Sequence, residues 1–262
     1  MNSFLFHVIL LAYLGATLLG WFHLALRQRR CLQVANGLLS LGFALHTAVL
    51  GARLLSQSWR FEGNISDAMG LLAWAIIGGY WLAWWRYRIE ALGAFLVPLA
   101  FLAVASSGML ATTVYPVPSA LQHVLLVMHI FLAVLGYAAL ALTFCAGVMY
   151  LIQERQLKSR QPGVLLQRLP SLRVLDELNA RALVLGLPLL TQGLITGSIW
   201  AKYARGSYLN WSLTSLPLLL AWVLYAFLVG GRYTWGWQGK KAAVAAVIGF
   251  LLVLASFFVH TL

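Results

Sequence analysis

The sequence predicts an all-α fold, a polytopic membrane bundle of eight transmembrane helices with both termini outside. Three observations carry that reading. Hydrophobic residues make up 62% of the 262 positions and charged ones 9%, too little polar surface to clothe a water-exposed body. Eight apolar runs of about 20 residues recur along the chain, the length that crosses the hydrocarbon core at 1.5 Å per residue. The basic residues between these runs fall on alternate loops. Strands of a membrane barrel would alternate in hydrophobicity over about ten residues, and these runs do not.

The spans come in close succession. The first, 3–26, has no basic stretch ahead of it and runs straight into a second apolar segment, so it reads as a helix and not as a cleaved leader. Arg27, Arg29 and Arg30 close it, and 33–55 comes next. Loop 56–66 leads to 67–85; Arg86 and Arg88 then separate that span from 90–112. Loop 113–121 precedes 122–152. Segment 153–179 is polar and basic, and Pro162-Gly163 ends the helix that enters it. Within it Ser171 follows Pro170 as a helix cap, and Leu172, Leu175 and Leu178 keep helical spacing, which predicts a short amphipathic helix on the membrane surface. Spans 180–200, 211–230 and 241–261 complete the set, the last entered through Lys240 and Lys241. With no Gly/Ser/Pro-rich linker and no repeat, the whole of 1–262 reads as a single membrane domain.

The net charge of +12 matches this topology. Fourteen of the 18 Lys and Arg side chains lie on one set of loops; only Arg53, Arg60, Lys202 and Arg205 lie on the other. Such a bias puts the rich side in the cytoplasm and predicts contact with anionic membrane lipid, not nucleic acid. Cys31 and Cys145 form no CxxC or CxxCH motif, which excludes a thiol redox pair and covalent haem attachment. The carboxylates Glu62, Asp67, Glu90, Glu154, Asp176 and Glu177 all fall at loops or helix ends, which argues against a proton or cation relay. A transporter built on a helix interrupted at Gly186-Leu187-Pro188 is therefore a weak reading. No Gly-rich phosphate loop, Ser-His-Asp set or HExxH motif occurs, and no catalytic residue is assigned.

Six histidines and an aromatic stretch remain. Trp200, Tyr203, Tyr208 and Trp211 sit in a short polar segment between two apolar runs, 200–211, on the outer side. They form an interfacial belt or a surface for a flat, partly apolar ligand such as a porphyrin. Imidazole is an axial ligand for haem iron. His123 and His129, six residues apart, diverge by about 240° around a helix and cannot share one iron. His7, His23 and His123 are assigned to packing or interfacial roles.

The chain from about residue 40 onward resembles the CcsA/HemX-like branch of the cytochrome c assembly family of haem-handling membrane proteins. The resemblance rests on LHTAVLGARLL (45–55) with GNISDA (63–68), the latter similar to the family's Ser-Asn-Leu-Tyr-Glu-Ser stretch. It continues through ALQHVLLVMHIFLAVLGYAAL (120–140), LPSLRVLDELNARALVLGLPLLTQGLITGSIWA (169–201) and AWVLYAFLVGGRYTWGWQGKKAA (221–243). It implies that His46 occupies the first membrane histidine position, that His129 occupies the first external one, and that His260 stands for the second by position. Trp200, Gly206, Ser207, Tyr208, Trp211 and Trp222 match the aromatic segment. By electrostatics Arg205 or Lys202 pairs with a propionate, or Arg205 meets a lipid headgroup. The chain departs from the pattern at Gly230, where the second membrane histidine falls, and at Arg205, Leu209, Ser212 and Ser215 within and after the segment.

The resemblance implies a haem-binding accessory protein of cytochrome c assembly in a bacterial inner membrane. Such a protein carries non-covalent haem b through His129 and His260, and is non-catalytic or only assists thioether formation. Its partners are haem, membrane lipid, and assembly or tetrapyrrole-synthesis proteins. The alternative from another class is a haem-free scaffold or regulator of tetrapyrrole synthesis that acts through segment 153–179.

Overall fold

The computed structural model describes residues 3–55, 64–110, 120–159, 163, 165, 167–207 and 216–261; for Leu54, Ala120–His123, Ala204–Arg205 and Phe258–Thr261 it describes the backbone alone. The described residues form eight α-helices, each long and apolar enough to cross a membrane. They are α1 (Ser3–Leu26), α2 (Arg29–Leu55), α3 (Ile65–Tyr87), α4 (Leu92–Met109), α5 (Ala120–Lys158), α6 (Leu172–Arg205), α7 (Leu216–Thr234) and α8 (Lys240–Thr261). The chain is a multi-pass membrane protein of the all-α class. It divides into two compact units, Met1–Thr113 with Val164–Leu169, and Val114–Gly163 with Pro170–Leu262.

Several helices outrun the apolar runs that announce them. α2 begins at Arg29 and not at 33, because arginine keeps helical backbone while its head reaches polar surroundings. α5 continues to Lys158, where a Lys158–Glu154 ion pair at (i, i+4) supports the final turn. Ser171 occupies the N-cap position of α6 without a side-chain cap hydrogen bond, and the amphipathic stretch from Leu172 is the first two turns of that helix, continuous with its membrane-crossing part. Leu175 and Leu178 are buried in the second unit, so their apolar face is satisfied by protein. α6 also runs unbroken through Gly186 and Pro188, so it is not the interrupted helix that a transport site would need.

In the first unit α1 packs against α2 and α4, and α3 against α4. α3 starts at Asn64, whose side chain accepts from the Ser66 N–H at 3.0 Å. Pro98 lies inside α4 and has no N–H to give the Ala94 carbonyl one turn back. The Trp21 indole of α1 donates to that same carbonyl at 2.8 Å. A defect intrinsic to one helix becomes a tie to its neighbour.

In the second unit α5 and α6 meet along a seam of small residues. A Cβ added at Gly136 would stand 2.9 Å from Leu190 N, and one at Gly193 would stand 3.1 Å from Ala133 N. Backbone so close is the packing that glycine permits in membranes, where dispersion rather than the hydrophobic effect holds helices together. At one end of the unit Arg232 of α7 reaches Asp176 at 3.1 and 3.3 Å and Asn179 at 2.8 Å, both on α6. The Gly239 N–H just before α8 donates to Asp176 at 3.0 Å, and Asn179 donates to the Thr143 carbonyl of α5 at 2.9 Å. One carboxylate and one carboxamide thus join all four helices of the unit.

Gly136→Ala should lower the apparent Tm in detergent by the equivalent of about 1–3 kcal/mol, since its neighbour is backbone. Gly37→Ala, whose Cβ meets nothing within 4 Å, should be neutral or raise it by up to about 1 kcal/mol. Asp176→Ala should cost about 3 kcal/mol by stranding the Arg232 guanidinium, read by the same melting measurement; an unchanged Tm would mean that the network carries no stability.

Candidate functional site

The residues singled out from sequence fall into both units. In the second, α5 turns His129 onto α6 where Gly197 leaves a notch: a Cβ there would lie 2.6 Å from the imidazole. The ring's Nδ1 is 2.7 Å from the Gly193 carbonyl oxygen. A carbonyl only accepts, so Nδ1 carries the hydrogen, and in the neutral ring Nε2 keeps its lone pair. This is how proteins orient an imidazole for metal: the remote nitrogen is fixed by a hydrogen bond and the ligating one is left basic. Thr196 donates to the same carbonyl at 3.1 Å and to Gln192 O at 2.8 Å.

Trp200 is half-buried on α6, three residues beyond Gly197 and so on nearly the same helix face. Lys202 bonds the Gly206 carbonyl at 3.0 Å, and Gly206 itself, at φ 79°, ends α6 in the left-handed conformation. Arg205 is the last residue of α6 and His260 lies in the last turn of α8; their side chains are outside the described residues, as are Tyr208 and Trp211. Of the expected aromatic surface, Trp200 and the exposed Tyr203 are therefore the members described on α6. Trp222 is engaged elsewhere, donating to Thr191 at 2.9 Å between α7 and α6.

His46 belongs to the first unit and is 3% exposed. Its Nδ1 lies 3.3 Å from the Tyr13 hydroxyl of α1. A Cβ on Gly70 of α3 would come 4.0 Å from its Nε2, so that nitrogen looks across a gap which glycine leaves open. The gap is part of a cavity of about 410 Å³ lined by His7, His46, Arg53, Asn64, Asp67 and Ser107 among others. Its volume falls in the range of small-molecule and cofactor pockets. Arg53 pairs with Asp67 at 2.7 Å across α2 and α3. Gly230, the position of the missing membrane histidine, lies in α7 of the other unit with nothing within 4 Å of an added Cβ.

Three residues of this cavity escaped the sequence reading. His7 was given an interfacial role, yet it lines the cavity with His46. Hairpin geometry could have found it, because His7 and His46 lie roughly 20 residues to either side of the Arg27-Gln28 turn and so at similar depth. Its Nδ1 bonds the Ser3 carbonyl, which leaves Nε2 with the lone pair by the reasoning used for His129. Arg53 and Asp67 lie 14 residues apart in sequence, and nothing in their local sequence announces that they pair.

Matched against known families, residues 62–262 fit the model described as Cytochrome C assembly protein. The span includes His129, Trp200, Arg205, Tyr208, Trp211 and His260, and begins after His46. The cytochrome c biogenesis protein CcsA of Microcystis aeruginosa (strain NIES-843 / IAM M-2473) is 29% identical over 255 aligned residues, covering 79% of this chain and 77% of that protein. CcsA of Synechococcus sp. (strain JA-3-3Ab) is 29% identical over 297 residues, covering 92% and 86%. CcsA of Chlamydomonas reinhardtii is 30% identical over 212 residues, covering 76% and 59%. The HemX-like half of the expected branch has no counterpart among these three.

Nitrogen NMR of protein labelled at histidine should find His129 in the Nδ1–H tautomer with an unprotonated Nε2. Tyr13→Phe should shift the His46 resonances and leave those of His129 in place. A His129 spectrum with hydrogen on Nε2 would contradict the Gly193 bond.

Proposed function

The chain belongs to the cytochrome c assembly protein family, and from that premise we propose that it is a haem-handling accessory protein which holds haem b non-covalently as cargo for cytochrome maturation. The observation that carries the reading is the His129 imidazole, locked by the Gly193 carbonyl with Nε2 free and seated where Gly197 makes room. His129 and His260 would hold the haem iron through imidazole nitrogen. Trp200, Tyr208 and Trp211 supply apolar wall for the ring, and Arg205 supplies charge for a propionate. When bound, haem contributes an iron that accepts imidazole nitrogen; the protein contributes orientation, dryness and charge.

His46 forms a separate station. Its cavity offers imidazole, the volume of a cofactor pocket and the Arg53–Asp67 pair, which supports a role in accepting haem within the first unit. The asymmetric distribution of Lys and Arg supports an orientation with both termini outside and the basic loops in the cytoplasm, in a bacterial inner membrane. Under that orientation the end of α6 that carries Trp200 and Arg205 faces the side on which cytochromes c mature. The scaffold alternative is less favoured, because Leu169 of its proposed contact segment is already buried.

The test is haem content. Protein purified in mild detergent from haem-replete membranes should show a b-type pyridine haemochrome spectrum. His129→Ala and Trp211→Ala should each lower the haem-to-protein ratio severalfold in protein that remains folded in detergent. Haem-free wild-type protein would overturn the reading and favour segment 153–179 as the working surface.

A further inference from the structure

At the end of the first unit where the α1–α2 and α3–α4 turns lie, arginine dominates. Arg27, Arg29, Arg30, Arg86 and Arg88 belong to these turns and Arg168 to the 164–169 segment that clusters with them. The turns contain one acid, Glu90. Two of the arginines are engaged on aromatic faces: the Arg88 guanidinium lies 4.5 Å from the Trp84 ring centroid and that of Arg86 lies 5.4 Å from Tyr87. Arg27 and Arg168 instead line one cavity of about 120 Å³, together with His23, Leu24, Glu90 and Gln167.

The polar groups of this cavity are out of balance. Nη1 of Arg168 is buried and has no hydrogen-bond partner among the described residues. A buried guanidinium N–H without an acceptor costs more than a neutral donor in the same position. Glu90 does not supply the acceptor: its carboxylate is 59% exposed and stands 3.5 Å from His23 Nε2. His23 in turn holds the Gln28 carbonyl through Nδ1 at 3.1 Å. Arg27 sits at φ 58°, an uncommon conformation for a side-chain-bearing residue, and that turn places it on the cavity.

We propose that this cavity binds a phosphate group, carried either by an anionic membrane lipid or by a soluble phosphate compound. The volume suits it, since 120 Å³ is the share of about four liquid water molecules. The chemistry suits it as well: arginine forks match phosphate oxygens in pairs, and two of them outweigh one solvent-screened carboxylate. Basic pockets between transmembrane helices at a positively charged face take lipid head groups in this way. Arg27 and Arg168 come from segments far apart in sequence, so the ligand would pin Gln167 and Arg168 to the α1–α2 turn. None of this geometry depends on haem.

The test uses the full chain in detergent, with native mass spectrometry after addition of phosphatidylglycerol or phosphatidylcholine. Phosphatidylglycerol should survive activation that strips phosphatidylcholine. Arg168→Gln should lower its retention about tenfold and Arg27→Gln severalfold, while Arg29→Gln and Arg30→Gln, outside the cavity, leave it unchanged. Arg168→Lys keeps the charge but loses the fork, and should fall between wild type and Arg168→Gln; it decides the question if Arg168→Gln does not fold. Inorganic phosphate separates the sources. If millimolar phosphate displaces the lipid and raises the Tm of wild type but not of Arg168→Gln, soluble phosphates share the site. If it does neither while lipid retention still depends on Arg168, the ligand is the lipid. Equal retention by wild type, Arg27→Gln and Arg168→Lys, with no phosphate effect, overturns the proposal.

Discussion

Hydrocarbon cannot hydrogen-bond, and this constraint organises the whole molecule. It forces the backbone into helices and obliges each polar side chain within them to find an acceptor in protein. The commonest solution is the shortest one. Thr17, Ser40, Thr47, Ser106, Thr143, Thr191, Thr196 and Thr234 all bond the carbonyl one turn back on their own helix. Groups too long or too charged for that solution make the contacts between helices: Trp21 with the carbonyl stranded by Pro98, Tyr80 with Asn36, and Arg232 with Asp176 and Asn179. Polar residues are scarce in this chain, so their pairings largely determine which helix faces meet.

The same constraint separates structural histidines from candidate ligands. An imidazole has two nitrogens, and in lipid both need accounting for. His129 satisfies one with the main chain of α6, which leaves the other chemically committed as an acceptor. His46 satisfies one with a hydroxyl that can either give or take a hydrogen, so its second nitrogen is not fixed by the protein. The two therefore differ in readiness: His129 is preset, whereas His46 can adjust to whatever enters its cavity.

Much of the fold was legible because transmembrane signals are long and redundant. The eight runs, the charge bias and the family resemblance each sufficed to indicate an all-α membrane protein. Helix ends were less legible: α6 absorbs the amphipathic stretch after Ser171 because Leu175 and Leu178 find protein to bury against, which no local pattern reveals. His129 and His46 could be nominated from the resemblance, but their hydrogen-bond partners could not, since Gly193 and Tyr13 lie 64 and 33 residues away. The Arg53–Asp67 pair and the Arg27–Arg168 cavity were invisible for the same reason. In sequence, each arginine looked like one more vote for topology.

The acceptor that sets His129 is a peptide carbonyl, which has a genetic consequence. A carboxylate partner can be deleted by one codon change; a main-chain oxygen cannot. Inherited defects at this position should therefore not resemble lost polar residues. They should appear as glycine replacements at 136 or 193, where an added Cβ meets the backbone of the facing helix, or at 197, where it meets the imidazole itself. A variant survey that ranks substitutions by changed charge or polarity would pass over this class, and one that ranks them by added volume would find it.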